Sequence, residues 1–471
     1  MVDNKEETIQ YIQNQMAQSS AKAQIYILND RKEKNPKRYL YGTIDGYIKG
    51  FLKGKQEPRW VIIPGIRGVG KTTLLAQLFD AQKIPLKNKL FLSVDQTIQY
   101  LGVSLEKVVE AYEDILGVVF EKLDEPVILF LDEIQYEKDW DIILKTIYDR
   151  TKKVFVVATG SSAISLQTNT DIARRSVFKK LYPMSFVEYM KIKEGKDETK
   201  GLGDRIKGVV FESNSGKEVY ELLKDLQPQI SDFWVGIDRQ ETEKYLKYGT
   251  LPFTIKLGDE VLVYEQIKRL LDRVMKIDIA EARFFNSETI SKIPSLLYLV
   301  ASSDQLSLRK ISQSLSASIT SIDEMLQALV QAEVLVKIPP YGSAYKQARK
   351  SSKYMFSSPA FRAMYFNFAS KMDKGKLLED LVSLYLIKFL HEKINTSLSY
   401  DSSKGGADFI MQFGSEKIVV EVGYGVKDFK QVSKTVEKVK AKYGLNISKH
   451  TLALSRDGKS VDVPLEFFLL I

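Results

Sequence analysis

The sequence predicts an α/β fold whose core is a parallel sheet. An apolar run at 61–63 leads directly into a glycine-rich loop, and an apolar helical segment follows the loop. A second apolar run, at 127–131, ends in two adjacent carboxylates. Unbroken apolar runs of this kind are typical of strands buried on both faces of a parallel sheet. With further strand-like runs at 90–94 and 154–158 and helices between them, the pattern predicts an αβα nucleotide-binding domain.

The loop after the first strand matches the pattern GxxxxGK[ST] in full. Its three glycines allow backbone N–H groups to turn inward onto a phosphate. The lysine supplies a mobile positive charge, and the threonine hydroxyl that follows it is a magnesium ligand. An ordinary glycine-rich turn is the alternative, but the flanking strand and helix are what phosphate binding requires. The predicted nucleotide-binding residues are Gly65, Ile66, Arg67, Gly68, Val69, Gly70, Lys71, Thr72 and Thr73.

Polar residues follow two of the other predicted strands. We expect Asp132 to hold magnesium opposite Thr72, and Glu133 to orient or deprotonate the water that attacks the γ-phosphate. A strand that merely ends in a polar helix cap is the alternative. The segment 159–162 either senses the γ-phosphate, with Ser161 as the candidate catalytic residue, or caps the next helix.

Further segments appear in a fixed order along the chain: Asp132-Glu133-Ile134-Gln135, then 159–163, Arg174-Arg175, 181–189 and 248–252. From about residue 40 to about residue 430, this series resembles the archaeal ATPase family, an AAA-like group near the STAND NTPases. The resemblance implies ATP hydrolysis with ATP and Mg²⁺ as cofactors. It also implies that one arginine of the pair faces the γ-phosphate, in cis or from a neighbouring subunit. Without the resemblance, such arginines are solvated or pair with a helix dipole.

Five segments are expected in the 471-residue chain. They are an N-terminal helical extension (1–40), the P-loop ATPase core (41–189), a helical lid (190–285), a winged helix (286–366) and a nuclease-like domain (367–471).

The winged-helix prediction rests on three helices at 288–301, 306–315 and 321–332, followed by strands at 334–338 and 354–356. The third helix carries two acids and no Lys or Arg, which argues against major-groove reading. A packing and coupling module is therefore favoured. Basic residues in the expected wing could still track phosphates; these are Lys346, Arg349, Lys350 and Lys353.

The last segment resembles the PD-(D/E)xK nucleases, members of which accompany the ATPase family. The order of Glu379 on a helix, Asp408, Glu421 and then Gln431 on a helix is similar, and the three acids are the candidate metal ligands. Gly423 stands where that pattern has a lysine. Lys417 or Lys427 could supply the missing ammonium. An active nuclease, a degenerate nuclease fold kept for binding, and a purely structural trio of acids all stay open.

Composition narrows the functional classes. The chain has no cysteine and only two histidines, which excludes disulfides, thiolate chemistry and histidine-rich metal sites. No apolar stretch approaches 18 residues, so we expect neither a membrane span nor a secretory signal. We therefore expect a cytoplasmic location.

Residues 336–471 carry 22 Lys and Arg against 13 Asp and Glu, whereas the preceding residues are neutral overall. This excess predicts binding to nucleic acid, with DNA favoured; a surface charged for solubility is the alternative.

These observations predict a magnesium-dependent ATPase. In this hypothesis, ATP binding between the core and the lid repositions the winged helix and a basic, nuclease-like domain on nucleic acid or a partner, in a monomer or a homo-oligomer. One alternative is a slow nucleotide switch that acts as a protein-assembly scaffold, and another is an ATP-gated DNA nuclease.

Overall fold

The computed structural model describes residues 5–160, 174–280, 285–303, 307–366, 373–425 and 428–471. The chain forms two compact units, Met1–Tyr182 and Pro183–Ile471. The finer division into five segments stays a prediction.

The first unit is built on a five-stranded parallel sheet with the strand order β2-β3-β4-β1-β5. The predicted P-loop αβ core is thus confirmed. Its strands are β1 (Trp60–Pro64), β2 (Lys89–Ser93), β3 (Val127–Asp132), β4 (Val154–Gly160) and β5 (Val177–Phe178). Its helices are α1 (Lys5–Ile27), α2 (Tyr39–Leu52), α3 (Lys71–Ala81), α4 (Val94–Leu101), α5 (Leu105–Leu116) and α6 (Trp140–Arg150).

The central strands of this sheet are buried at every position, because helices cover both of their faces. Trp60 on β1 and Trp140 on α6 meet edge to face in the core, with ring centroids 6.4 Å apart. Helix α1 packs on α3 and α5 and adds Ile12 and Met16 to the same apolar cluster. Helix α1, in the predicted N-terminal extension, therefore contributes to the core packing of this unit.

The second unit combines helices with a six-stranded mixed sheet of order β12-β13-β11-β10-β9-β8 and a two-stranded antiparallel hairpin, β6-β7. Its strands are β6 (Leu335–Ile338), β7 (Lys353–Phe356), β8 (Thr396–Ser399), β9 (Phe409–Phe413), β10 (Glu416–Val422), β11 (Tyr443–Ser448), β12 (Ala453–Leu454) and β13 (Ser460–Pro464). Its first helices are α7 (Phe186–Glu194), α8 (Leu202–Glu212), α9 (Gly216–Trp234), α10 (Arg239–Lys244), α11 (Glu260–Arg273), α12 (Ser287–Ser302), α13 (Leu308–Leu315) and α14 (Ile319–Gln331). Helices α15 (Ala344–Arg349), α16 (Pro359–Phe366), α17 (Lys374–His391), α18 (Lys430–Val439) and α19 (Leu465–Phe468) complete it.

Helices α12, α13 and α14 and the β6-β7 hairpin lie within two residues of their predicted positions. The connection between the two strands is not an open wing, because it contains the short helix α15. The Ser343 side chain caps this helix by accepting a hydrogen bond from the Lys346 N–H. The elements agree with the prediction, and their assignment as a winged helix stays a hypothesis.

A buried ion pair joins several elements of the second unit. Arg362 on α16 donates to both carboxylate oxygens of Asp380 on α17, at 2.5 and 2.9 Å. Asp380 is fully buried and also accepts from the Phe356 N–H of β7 at 2.9 Å. Arg362 further donates to the Ala301 carbonyl of α12 at 2.8 Å. The Arg362 guanidinium thus links α16 to α12 and to the Asp380 carboxylate of α17. That carboxylate in turn binds the β7 strand of the hairpin.

We expect Arg362→Met to destabilise the protein by about 3–5 kcal/mol, because it leaves the Asp380 carboxylate buried without its counter-ion. Urea unfolding measures the change. Arg456→Met, at an exposed arginine of the same unit, should cost less than about 0.5 kcal/mol. Equal effects of the two substitutions would contradict the importance assigned to the buried pair.

Candidate functional site

The glycine-rich loop connects β1 to α3 and has the backbone geometry that phosphate binding needs. Gly68 and Gly70 adopt left-handed conformations with φ of 82° and 94°, which side chains disfavour. Gly65 is required for a different reason, since a Cβ there would lie 2.5 Å from the Leu181 carbonyl oxygen. The loop therefore turns back tightly before α3 begins at Lys71.

The Lys71 side chain lies inside this loop. Its Nζ donates to the carbonyl oxygens of Gly65 at 2.8 Å and Ile66 at 3.2 Å, and the residue is 5% exposed. The ammonium is thus held within the turn whose N–H groups would surround a phosphate. A fixed positive charge in that position is suited to polyphosphate binding.

The Asp132 carboxylate at the end of β3 is hydrogen-bonded to two other elements of the core, α3 and β4. Its carboxylate accepts from the Thr72 hydroxyl of α3 at 2.7 Å and from the Thr159 hydroxyl of β4. Burial raises the pKa of Asp132, and the hydrogen bonds from Thr159 and Thr72 oppose that rise. The structure therefore brings together Thr72 and Asp132, the two predicted magnesium ligands. The sequence marked the polar end of β4 but did not indicate that Thr159 binds Asp132.

Glu133 follows Asp132 in a left-handed conformation with φ of 55°. Its N–H donates to the Thr159 hydroxyl at 3.1 Å, and its carboxylate accepts from the Gln135 amide. Left-handed geometry is uncommon for a residue with a side chain and is concentrated at functional sites. This geometry turns the chain sharply at Glu133, immediately after Asp132, the candidate magnesium ligand at the end of β3.

A buried arginine supports the loop from a segment that the sequence patterns did not single out. Arg38, 7% exposed, donates to the Val69 carbonyl at 2.9 Å and to the Tyr182 carbonyl at 2.8 Å. A second arginine, Arg67 of the loop, donates to the Tyr136 hydroxyl at 3.0 Å. These hydrogen bonds join residues that are distant in sequence, so no local sequence pattern predicts them.

The predicted arginine pair lies near the amino ends of the strands, whereas the loop lies beyond their carboxyl ends. Strand β5 pairs in parallel with β1, with Val177 opposite Val61, so Arg175 is level with the amino end of β1. At about 3.3 Å per residue, that is roughly 20 Å from the loop beyond the carboxyl end. Arg175 donates to the Asp149 carboxylate at 3.2 Å, and Arg174 is exposed. This placement does not favour an action in cis on a nucleotide at the loop. Ser161 lies outside the described residues.

The donors around the loop fit a nucleotide with magnesium. Mg²⁺ prefers hard oxygen ligands, and the Thr72 hydroxyl and the Asp132 carboxylate provide them side by side. Lys71 and the loop N–H groups provide positive charge and donors for phosphate.

In the second unit, the three predicted acids of the last segment gather around one lysine. Val422 N–H donates to the Asp408 carboxylate at 3.0 Å, and Asp408 N–H donates to the Glu421 carboxylate at 3.3 Å. Lys353 of β7 makes an ion pair with Asp408 at 3.1 Å. Burial lowers the pKa of Lys353, but the charges of Asp408 and Glu379 outweigh it and raise the pKa overall. We call Lys353, Glu379, Asp408 and Glu421 the acid-lysine cluster.

The Lys353 ammonium and the protonation of Glu379 reduce the negative charge of this cluster. Burial and the neighbouring Asp408 raise the pKa of Glu379 to about 8, so this carboxyl is largely protonated at neutral pH. Within the described parts of the chain, no three Asp, Glu or His side chains are placed to hold a metal ion. Glu379, Asp408 and Glu421 therefore do not form a ready metal site in this structure. Gln431, the fourth residue of the resemblance, donates to the Gly406 carbonyl at 2.9 Å.

The fold and the loop site define an AAA-type P-loop protein of the class that binds ATP, and comparison with known proteins agrees. Residues 57–190 match a family model described as an AAA domain. Uncharacterized protein MJ1637 of Methanocaldococcus jannaschii is 34% identical over 472 residues, which cover 98% of this chain and 93% of that protein. The chain therefore belongs to the AAA-domain family that includes this archaeal protein.

Two more distant similarities were found. Uncharacterized protein MJ1544 of the same organism is 22% identical over 375 residues, 78% of this chain and 75% of that protein. The structure of AMPPCP-bound DnaA from Aquifex aeolicus is 16% identical over 61% of this chain and 87% of that chain, with a TM-score of 0.26. That TM-score is too low to guide an assignment.

None of the helices in the described ranges has both the length and the apolar character needed to cross a bilayer.

Stability should depend on pH through Glu379. Between its ordinary pKa of 4.5 and about 8, the folded protein holds a proton that the unfolded chain has lost, so stability falls as pH rises through this window. Glu379→Gln should remove this dependence and raise the free energy of unfolding at pH 8 by more than about 1 kcal/mol. Urea unfolding at pH 5 and pH 8 measures it. The exposed Glu437→Gln is the control, and a parental pH dependence in Glu379→Gln would contradict the assignment.

Proposed function

We propose that this protein binds ATP at the glycine-rich loop and hydrolyses it with magnesium. The observation that carries the proposal is the 2.7 Å hydrogen bond between the Thr72 hydroxyl and the Asp132 carboxylate. It joins the first residues of α3 to the end of β3, and a hydrated magnesium ion needs ligands from these two elements. When bound, magnesium neutralises charge on the β- and γ-phosphates.

The other residues take roles that follow from their positions. Lys71 attends the phosphates after exchanging its loop carbonyls for phosphate oxygens. Glu133 orients or deprotonates the attacking water, with Gln135 holding its carboxylate. Thr159 fixes both Asp132 and the Glu133 backbone, so that the two carboxylates keep a constant relation.

An arginine acting on the γ-phosphate would have to come from another subunit. Arg175 forms an ion pair with Asp149 near the amino ends of the strands, far from the loop, whereas Arg174 is exposed. We therefore infer that Arg174, in a homo-oligomer, is the better candidate for action in trans.

Lys71→Ala should weaken ATP binding on the order of 100-fold, because it removes the cation that attends the phosphates. Glu133→Gln should keep binding and lower the hydrolysis rate by a similar factor, because the amide cannot accept the proton of the attacking water. Fluorescent-nucleotide titration measures binding, and phosphate release measures turnover.

Lys83→Ala, at an exposed lysine just after α3, serves as the matched control and should match the parent. Parental binding and turnover in Lys71→Ala would refute the nucleotide site. Parental turnover in Glu133→Gln would remove only the role given to that carboxylate.

We further propose that ATP turnover is coupled to nucleic acid bound by the basic C-terminal region. Helix α18 presents Lys430, Lys434 and Lys438 at intervals of four residues, and therefore on one face. The Lys430 side chain is 90% exposed, and Lys434 reaches the backbone carbonyl of the exposed Lys404 at 3.3 Å. Lys438 is paired with Asp401, and the Lys430 ammonium lies 3.5 Å from the Asp428 carboxylate. The more exposed ammonium groups of Lys430 and Lys434 suit contact with successive phosphates without base reading.

Replacing Lys404, Lys430 and Lys434 with Glu should lower the affinity for duplex DNA at least about tenfold and reduce the salt dependence of binding, because three phosphate contacts are lost. Fluorescence anisotropy at several salt concentrations measures both effects. The control replaces three exposed lysines of α9 and α11, namely Lys217, Lys224 and Lys268, with Glu. An equal loss of affinity in the control would show that only net charge matters and would contradict an α18 surface.

Phosphodiester cleavage by the acid-lysine cluster is a second candidate function. The observation that favours it is the 3.3 Å hydrogen bond from the backbone N–H of Asp408, which directly precedes β9, to the carboxylate of Glu421 on the adjacent strand β10. Carboxylates in this arrangement can share a divalent cation once Lys353 no longer balances their charge.

A further inference from the structure

Arg38 connects the glycine-rich loop to the last residue of the first compact unit. The residue stands at the N-terminal cap of α2, a helix that packs on α3. One terminal nitrogen of its guanidinium donates to the Val69 carbonyl at 2.9 Å, and the other donates to the Tyr182 carbonyl at 2.8 Å. Because the guanidinium is planar and rigid, these two bonds fix the position of one carbonyl relative to the other.

The bond to Val69 controls the orientation of a peptide group in the loop. The Val69–Gly70 peptide is trans, so its C=O and N–H groups point in opposite directions. Gly70 precedes α3 directly, and its N–H is one of the donors expected to surround a phosphate. A phosphate that binds this N–H therefore acts on the same peptide plane that Arg38 holds.

The chain that leads to the second unit passes beside the loop. The Leu181 N–H donates to the Pro64 carbonyl at 2.9 Å, at the end of β1 and directly before the loop. The next residue, Tyr182, accepts from Arg38 and is the last residue of the first unit. The second unit begins at Pro183.

The chain is fixed again directly after this junction. The Met184 N–H donates to the Thr250 carbonyl at 2.8 Å. The N–H of Phe186, the first residue of α7, donates to the Tyr385 hydroxyl of α17 at 2.8 Å. Pro183 thus lies between a carbonyl held in the first unit and a peptide held in the second. Since the proline ring restricts its φ, this residue adds little freedom to the connection.

We propose that Arg38 is a positioning residue that couples nucleotide at the glycine-rich loop to the junction between the two compact units. This inference rests on the ATP binding proposed above. A bound phosphate shifts the Val69–Gly70 peptide, and the guanidinium transmits the shift to the Tyr182 carbonyl. Pro183 passes it to the first residues of the second unit. Every step is a contact between closely packed groups, which transmit small displacements.

Hydrogen–deuterium exchange of the full chain tests this coupling. A saturating non-hydrolysable ATP analogue with magnesium should slow exchange in peptides that cover residues 183–190 at least about threefold, because the junction becomes more tightly held. Arg38→Met should still bind the analogue but lose this response, since methionine offers no donor to either carbonyl. Fluorescent-nucleotide titration of each variant establishes the concentration that saturates it.

Arg59→Met is the matched control. Arg59 is 5% exposed and belongs to the same unit, where it also donates to two backbone carbonyls, those of Tyr148 and Thr151. It directly precedes β1 and therefore lies at the end of that strand opposite the loop. The control should lose stability but keep the parental response at residues 183–190. A merely structural role for Arg38 would make the two variants respond alike.

Arg38→Lys keeps a cation at the same place, but one ammonium does not reproduce the two directed bonds of the fork, so less than about half of the response should remain. A parental response in Arg38→Met, or in Arg38→Lys if Arg38→Met does not fold, would overturn the coupling. An equal loss of response in Arg59→Met would also overturn it.

The parent protein separates this inference from the function on which it rests. Binding of the analogue without any change at residues 183–190 would overturn the coupling and leave the nucleotide site intact. A parent that does not bind the analogue would refute the nucleotide site itself, and the coupling with it.

Discussion

The nucleotide site depends on how the carboxylate of Asp132 is accommodated at the end of a buried strand. An ionised group with 5% exposure is costly unless polar partners surround it. Two threonine hydroxyls, one from the start of α3 and one from β4, meet that requirement. The same bonds fix the relative positions of the loop helix and two neighbouring strands. A local electrostatic requirement thus determines the geometry of the site in which phosphates would bind.

The parts of the fold that were predictable are those with local signals. Strands buried on both faces need unbroken apolar runs, and a turn around phosphate requires glycine. The strands and the loop could therefore be predicted directly from the sequence. Arg38 and Lys353 act through contacts with residues far away in sequence, and no periodicity reports such contacts. The position of the arginine pair was equally hidden, because it follows from the register of the two-residue strand β5 against β1.

The hairpin lies just before the boundary predicted near residue 366, a division that stays a prediction. The hairpin carries its own turn and strand signals, which favoured a separate module. In the structure, its β7 strand is bound to Asp380 of α17 and its lysine to Asp408 of the mixed sheet. These polar contacts are both largely buried, so the hairpin and the sheet form one compact unit. A movement of the hairpin away from α17 and the mixed sheet would break one buried hydrogen bond, to Asp380, and one buried ion pair, between Lys353 and Asp408.

The placement of the tryptophans makes the two compact units spectroscopically distinguishable. The chain contains three tryptophans. Trp60 and Trp140 are in contact in the core of the first unit, whereas Trp234 belongs to the second, where it stacks on Phe186 and donates to the Glu466 carbonyl at 3.1 Å. With Trp234 replaced by Phe, tryptophan fluorescence would arise from the first unit alone. With Trp60 and Trp140 replaced, it would report only the unit that carries the acid-lysine cluster, so the unfolding of each unit could be followed separately in the intact chain.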